Sequence, residues 1–247
     1  MAKRTTNLHR KLIAAAQSLR DQTSELAFAE PVTHVYNPLV YAWDAHTAYL
    51  ESANPNGITT LFMGMNPGPW GMAQTGVPFG EIDAVKTWLG IDKNVGKPPT
   101  EHPKRLIEGF KCSRSEVSGR RLWGLFRDRF GESDHFFQSH FVTNFCPLVF
   151  MEASARNRTP DKLRKEERLL LDRICLEHLT KVIEILKPEF LVGVGAYAEK
   201  QLHEATAAMK TTITTTRILH PSPASPAANR DWQGTATKQL VEAGIWS

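Results

Sequence analysis

Residues 61–80 read LFMGMNPGPWGMAQTGVPFG, an apolar run that passes directly into a loop dense in glycine and proline. A continuous apolar run bounded by turn residues predicts a strand that is buried on both faces, as in a parallel α/β sheet. Asn66 stands just after this strand, and ligands of such sheets bind beyond the carboxyl ends of the strands. Because glycine permits close approach and proline fixes φ, we expect a stiff loop that contacts a ligand.

Three further segments have the pattern of strands, and helical patterns separate them. The strand candidates are residues 139–145, 190–195 and 212–219, the last rich in threonine. The helix candidates are residues 7–30, 81–89, 120–130, 159–187, 196–209 and 233–243. Thr159 and Pro160 have the sequence of a helix start, with a capping hydroxyl before a proline at the first helical position. This alternation predicts an α/β fold with a four-stranded parallel sheet and helices on both faces.

Four residues at strand ends should meet at one edge of this sheet: Asn66, Asn144, Gly195 and His220. The glycine pair that ends at Gly195 lacks the third glycine and the acidic residue of a dinucleotide fingerprint, so a packing role is favoured. A strand-end asparagine is usually a turn former and a single histidine is often structural. Two asparagines that converge with a histidine held by a Pro-Ser-Pro segment favour a binding or catalytic site.

The residue types indicate what chemistry this edge can perform. An uncharged imidazole at His220 can donate to an oxygen that gains negative charge. An asparagine amide offers an acceptor and two donors, which suits the O4 acceptor and N3–H donor of uracil. A flipped amide would suit cytosine, so the surrounding residues must fix the orientation of the reading asparagine.

Composition sets broad limits on the function. We interpret the 247 residues, 41% of them hydrophobic, as one domain (residues 1–247) with the helix at 7–30 packed on its body. A net charge of +4 permits nucleic acid as a partner without demonstrating it. Neither a membrane span nor a signal peptide is predicted, so we expect an intracellular protein, in a bacterial cytoplasm or a nucleus. We expect a monomer, since no heptad pattern or long apolar edge is present.

No metal centre is expected. The three cysteines, Cys112, Cys146 and Cys175, are far apart and never in C-x-x-C spacing. Reduced, buried thiols are the simplest interpretation, and a four-cysteine zinc or iron–sulfur site cannot be built from them alone.

Several of these segments carry a resemblance to a known family. Residues 64–69, 71–80, 144–147 and 220–223 closely resemble the single-strand-selective monofunctional uracil-DNA glycosylases, within the uracil-DNA glycosylase superfamily. The resemblance runs from about residue 30 to the closing helix and includes residues 102–105, 115–119 and 157–160. It implies a three-layer α/β/α sandwich and a DNA glycosylase without AP lyase activity. Such an enzyme excises uracil and 5-hydroxymethyluracil from single- and double-stranded DNA and so initiates base excision repair, with no metal or organic cofactor.

The resemblance also implies roles for individual residues. Asn66 would position the attacking water, and His220 would stabilise the charge that develops on uracil O2. The expected base-binding residues are Met65, Gly68, Phe79 and Asn144. Met65 would contact the base through its backbone, and Gly68 leaves room near C5 where the uracil-specific branch has a tyrosine. Phe79 would stack on the flipped base, and Asn144 would read the uracil edge. Since an amide cannot take up a proton at neutral pH, we expect slower turnover than in superfamily members with an aspartate in place of Asn66.

The loop after His220 departs from the family pattern. This loop and the residues that follow it are expected to wedge into duplex DNA, and the residues concerned are Pro221, Ser222, Pro223, Ala224, Ser225, Asn229 and Arg230. Where relatives carry a basic residue followed by asparagine, this chain has Ala224 and Ser225. We expect Ala224 to fill the gap left by a flipped base poorly, so that duplex DNA is opened less well.

Three alternatives remain open on the sequence alone. One is a glycosylase of another deaminated base, such as hypoxanthine or xanthine. Another is a lesion-binding protein with little catalysis, against which the presence of both Asn66 and His220 argues. The third is a nucleotide-binding α/β protein acting on free metabolites, against which the incomplete glycine motif argues.

Overall fold

The computed structural model describes residues 5–247, in which seven strands and nine α-helices are found. The strands are β1 His34–Tyr36, β2 Thr60–Gly64, β3 His140–Asn144, β4 Val149–Met151, β5 Asn157–Arg158, β6 Phe190–Val194 and β7 Thr214–Ile218. The helices are α1 Asn7–Ser24, α2 Pro38–Tyr41, α3 Trp43–Leu50, α4 Met72–Thr75, α5 Val117–Phe130, α6 Ser133–Phe137, α7 Lys165–Leu186, α8 Ala196–Ala208 and α9 Pro226–Glu242. Residues 1–4 of the predicted domain lie outside the described range.

Four parallel strands form the central sheet in the order β3-β2-β6-β7. All five residues of β2 are buried, because neighbouring strands and the flanking helices cover it on every side. The register pairs Gly64 with Asn144 and Val194 with Ile218. The strand ends therefore line one edge, and the predicted α/β fold with a four-stranded parallel sheet is confirmed.

A second, small sheet was not predicted. It is antiparallel, has the order β1-β4-β5, and pairs His34 with Met151 and Phe150 with Arg158. Its strands have three, three and two residues. Strands this short show no usable alternation of apolar and polar residues, which is why the sequence pattern did not reveal them.

Two predicted helix boundaries near the start of the chain and before α7 are wrong. α1 ends at Ser24 and not near residue 30; the hydroxyls of Thr23 and Ser24 bond back to the carbonyls of Leu19 and Arg20 and compete with the helical pattern. The helix predicted to begin at residue 159 begins at Lys165. The hydroxyl of Thr159 donates to Asp161 and does not cap a helix, and only a single 3₁₀ turn, Pro160–Lys162, follows.

The closing helix also starts earlier than predicted. α9 begins at Pro226, with Ser225 accepting from the Ala228 amide as the N-cap, and a non-helical Asp231 (φ −159°, ψ 84°) kinks it. The helix predicted from residue 233 corresponds to the part of α9 after this kink. In the segment 81–89, the predicted short helix is a π-helical turn, Ala84–Trp88.

Candidate active site

A cleft of about 340 Å³ opens at the carboxyl edge of the central sheet. It brings together all six residues predicted to act on the base, although they come from sites up to about 150 positions apart in the chain. These six are Met65, Asn66, Gly68, Phe79, Asn144 and His220. The remaining lining residues are Pro67, Glu116, Ser118, Asn157, Thr159 and Ser222.

The amide of Asn66 is held by backbone carbonyls. Its Nδ2 donates to Leu148 O at 3.0 Å and to Pro67 O at 3.3 Å. Within residues 5–247, no protein donor bonds to its Oδ1. The side chain is therefore oriented with its acceptor available to a bound molecule, and an amide oxygen can accept one hydrogen of a water.

The amide of Asn144 is held far more weakly. Its only side-chain hydrogen bond within the described residues is from Nδ2 to the thioether of Met72, at 3.4 Å, and sulfur is a weak acceptor. Close packing also restricts the Asn144 side chain. A Cβ on Gly64 would lie 2.5 Å from Asn144 Oδ1 and 2.5 Å from the Phe79 ring. Only a glycine at residue 64 leaves room for both side chains.

Phe79 is buried and has φ of +52°, an uncommon conformation for a residue with a Cβ. Its carbonyl accepts from the Glu81 amide, and Gly119 of α5 packs directly against that carbonyl. The ring lies 6.5 Å from the His220 ring, centroid to centroid, at 44°. Phe79 and His220 therefore form adjoining walls of the cleft.

The tautomer of His220 follows from its hydrogen bond. Nδ1 lies 3.1 Å from the Ser222 amide, which can only donate, so the neutral ring carries its proton on Nε2. Burial lowers the pKa of His220, which favours this neutral form near pH 7. Nε2 has no protein partner within residues 5–247, and it can donate to a ligand.

The loop that carries Asn66 is braced by a residue that the sequence did not single out. Gln74 is fully buried and its amide makes four hydrogen bonds, two donated and two accepted. The carbonyl acceptors are Pro69 and Leu106, and the amide donors are Glu108 and Gly109. Gln74 thus ties the glycine-rich loop to residues 106–109, a contact between distant segments that no local pattern signals.

Glu116 lines the cleft and has no predicted role, although the segment 115–119 belongs to the resemblance. A Cβ on Gly68 would lie 2.5 Å from its Oε1, and a Cβ on Gly71 would overlap Oε2. The carboxyl group therefore packs directly under the glycine-rich loop. Burial, with a smaller contribution from Glu81, raises its pKa to about 7, against a hydrogen bond from the Gly68 amide that lowers it.

The loop after His220 is fixed by Arg121 and Asn229. Arg121 donates to Pro221 O at 3.0 Å and to Asn229 Oδ1 at 2.9 Å, while Asn229 Nδ2 donates to Pro223 O at 2.7 Å. Ala224 is exposed. Of the seven residues predicted to wedge into duplex DNA, only Ser222 lines the cleft; Ser225 caps α9, and Asn229 and Arg230 are exposed positions within it.

Two arginine side chains contact the ring of Trp70, which lies in the glycine-rich loop. The Trp70 ring has the guanidinium of Arg105 at 5.1 Å and that of Arg114 at 5.6 Å from its centroid. Trp70 is four positions after Asn66. The Trp70 ring and its two guanidinium groups therefore offer an aromatic face and two positive charges on the loop that carries Asn66.

Residues 5–247 contain no cluster of three or more histidine, cysteine or acidic side chains suited to hold a metal ion. Cys112, Cys146 and Cys175 are buried and unpaired by disulfides. No helix in this range is long and apolar enough to cross a membrane.

Comparison with known proteins identifies the family. A model of the Uracil DNA glycosylase superfamily matches residues 51–242. The chain belongs to this superfamily. The resemblance in its sequence motifs is thereby confirmed.

Two relatives from within the superfamily are similar along most of their length. The single-strand selective monofunctional uracil-DNA glycosylase of Rattus norvegicus is 45% identical over 227 residues, 92% of this chain and 82% of the rat protein. The protein of the same description from Bos taurus is 44% identical over 227 residues, covering 92% of this chain and 84% of the bovine protein. Among solved structures, SMUG2 of Pedobacter heparinus superposes with a TM-score of 0.65 over 92% of this chain and 96% of that chain. At 17% identity, that likeness is one of fold.

Proposed function

We propose that this chain is a monofunctional DNA glycosylase that hydrolyses the N-glycosidic bond of uracil and 5-hydroxymethyluracil in DNA. It acts as a monomer inside the cell, on single and double strands, and leaves an abasic site without cutting the strand. The observation that carries the proposal is the pairing in one cleft of the Asn66 amide, with its Oδ1 available, and the His220 imidazole, with its Nε2–H available.

Bond cleavage leaves a cationic sugar and an anionic base, so the protein mainly has to position water and stabilise charge. His220 Nε2–H donates to uracil O2 as that oxygen gains negative charge. Asn66 Oδ1 accepts a hydrogen from the water and holds it against the sugar. Because the two carbonyl partners of Nδ2 fix the amide, this acceptor is in place before substrate binds, which lowers the entropic cost of the step.

The base is read on its edge and covered on its face. Asn144 Oδ1 accepts from N3–H and Nδ2 donates to O4, an arrangement that uracil satisfies and cytosine does not. Phe79 stacks on the flipped ring. The backbone of Met65 contacts the base, and Gly68 leaves space beside C5.

The same surface is suited to DNA. The two guanidinium groups at Trp70 can neutralise phosphates, and the Trp70 ring can stack on a neighbouring base of a single strand. Flipping a base out of a duplex costs a few kcal/mol, less when the base is mispaired or single-stranded. With the small Ala224 exposed in the loop after His220, single strands and mispairs are the expected preferred substrates.

Base release from matched oligonucleotides tests the proposal. Each carries one uracil, 5-hydroxymethyluracil, hypoxanthine or xanthine, single-stranded or in a duplex, and Asn66→Ala/His220→Ala serves as the blank. We expect release of the first two bases, absent in the blank, from strands that stay uncut until alkali is added. Tight lesion binding without release would instead favour a lesion-binding protein, and release of hypoxanthine or xanthine alone would favour the other glycosylase class.

A further inference from the structure

Glu116 is the only carboxyl group among the described residues that line the cleft, and the proposed reaction does not use it. It occupies the N-cap position of α5 but makes no side-chain capping hydrogen bond. Its carboxyl group lies instead against Gly68 and Gly71 of the glycine-rich loop. Because this carboxyl group does not cap its own helix and lies against the loop that carries Asn66, we looked for a role for it in the cleft.

The proposed reading of the base indicates which ring position approaches Glu116. Around a pyrimidine, O2, N3, O4 and C5 follow one another in order. His220 takes O2, and Asn144 takes N3 and O4. The Nδ2 of Asn144 that donates to O4 lies beside Met72, and Met72 directly follows Gly71, which abuts the Glu116 carboxyl group. The position after O4 is C5, so in the proposed orientation of the base C5 faces Glu116, which lines the same cleft.

We propose that Glu116 determines the specificity of the site for the C5 substituent of the bound pyrimidine: its carboxyl group hydrogen-bonds a hydroxymethyl group and excludes a methyl group. This inference rests on the proposed function and deepens it. The proposed function already includes 5-hydroxymethyluracil as a substrate, and the inference adds the residue that contacts the C5 substituent.

The physical basis is the asymmetry of buried hydrogen bonds. A hydroxymethyl group donates its O–H to the carboxyl oxygen. A methyl group at the same place covers that oxygen and displaces its water without replacing the hydrogen bond. The carboxyl oxygen is then buried without a partner, at the full cost of its desolvation. Uracil, with hydrogen at C5, leaves space for a water on Glu116. Sites built to hydrogen-bond a hydroxyl discriminate strongly against analogues that lack it.

The charge environment is compatible with this role. Glu81 is the acidic group that acts on Glu116, and its own carboxylate is occupied by the Ser115 hydroxyl and the Ala84 amide. The Gly68 amide donates to Glu116. With its pKa raised to about 7, the carboxyl group is partly protonated at neutral pH and can then also donate to a substituent hydroxyl.

The test compares wild type with Glu116→Gln, Glu116→Leu and Glu116→Ala on single-stranded oligonucleotides carrying uracil, 5-hydroxymethyluracil or thymine. The readout is the ratio of kcat/KM for 5-hydroxymethyluracil to that for uracil. Glutamine keeps a polar group of the same reach, so the ratio should stay within about threefold of wild type. Leucine removes the partner of the hydroxyl, so the ratio should fall at least about tenfold, with thymine release rising.

The outcomes separate this inference from the proposed function. Glu116→Ala gives the same readout without added bulk, and affinity for abasic-site DNA reports on folding. A wild type that releases uracil, with a ratio that stays within about threefold in both Glu116→Leu and Glu116→Ala, overturns the role of Glu116. Equal losses for both bases overturn it too, since they would indicate a structural or water-positioning role. A wild type that releases neither base overturns the proposed function itself.

Discussion

Asn66 lies just after β2 and Asn144 is the last residue of the adjacent parallel strand β3, yet their amides are held in different ways. Two backbone carbonyls hold Asn66, whereas a thioether and the space left by Gly64 hold Asn144. Backbone carbonyls fix an amide before any ligand binds, which suits the positioning of water. The thioether bond fixes which end of the Asn144 amide is the donor and leaves Oδ1 and the second N–H free for the ligand, which suits the reading of a base. The same residue type thus serves two purposes because its surroundings differ.

The substitution Gly64→Ala should break the arrangement around Asn144 most severely. The new Cβ would lie 2.5 Å from both Asn144 Oδ1 and the Phe79 ring. We expect a loss of about 1–3 kcal/mol in the free energy of unfolding from this overpacking. Displacement of both base-binding side chains should lower kcat/KM for uracil about 100-fold, since a small misplacement of binding groups has effects of this size.

Gly124→Ala is the matched control for this experiment. Residue 124 lies in α5, and a Cβ there would have no neighbour within 4 Å among the residues that the structure describes. The same change should therefore stabilise the protein by about 0.4–1 kcal/mol. Urea unfolding and steady-state kinetics of both variants make the comparison. Equal activities of the two variants would show that the crowding at Gly64 does not orient Asn144.

Met72→Leu should affect Asn144 alone and lower activity less than Gly64→Ala does. Within residues 5–247 it removes the sole partner of Asn144 Nδ2 while nearly conserving side-chain volume, so folding should change by less than about 1.5 kcal/mol. Uracil release should slow about threefold to tenfold, as expected for one weak hydrogen bond. The measurement is kcat/KM for uracil against cytosine in single strands. An unchanged ratio would mean that the thioether does not orient the amide.

Ala224→Arg tests the loop after His220. A long cationic side chain should aid base flipping, so uracil release from a U:G duplex should rise about threefold while single strands change less. Ala208→Arg adds the same charge at an exposed position of α8 and controls for general attraction to DNA. Equal duplex activity in wild type and Ala224→Arg would contradict the expectation that Ala224 is a poor wedge.

The last prediction concerns the pH dependence of stability, with no change expected in the reading of the base. The folded-state pKa of Glu116 is raised from 4.5 to about 7, so its contribution is fully present below pH 4.5 and is lost as the pH rises through 7. The Tm of wild type should therefore fall relative to Glu116→Gln between pH 5 and 8, by on the order of 5–10 °C for a shift of this size. His46, His140 and His178, whose pKa values burial lowers to about 4, act in both proteins and cancel in the difference. A constant difference in Tm would contradict the burial of this carboxyl group.

The parts of the site that were predictable are local in sequence. Each strand ends in a recognisable apolar-to-turn transition, and parallel strands bring their ends to one edge. Asn66, Asn144 and His220 could therefore be grouped before their positions were known. The resemblance supplied their expected roles, which a pattern of residues cannot.

The parts that were missed depend on packing between distant segments. The role of Gln74 requires the carbonyl of Leu106 and the amides of Glu108 and Gly109, more than 30 positions away. Glu116 matters because Gly68 and Gly71 leave room for its carboxyl group. Helix starts were misplaced where Thr159 bonds to a neighbouring side chain. None of these contacts has a periodic signal in the chain.

The central claim is that Asn66 positions water and Asn144 reads the base. Its most direct test is single-turnover uracil release from saturating single-stranded DNA, together with affinity for the same DNA, in Asn66→Ala and Asn144→Ala. Asn94→Ala, at an exposed position outside the cleft, is the control. Asn66→Ala should slow release about 100- to 1,000-fold with affinity within about threefold. Asn144→Ala should weaken affinity for uracil-containing DNA toward that for undamaged DNA. Equal losses of rate and affinity in the two variants would contradict the account.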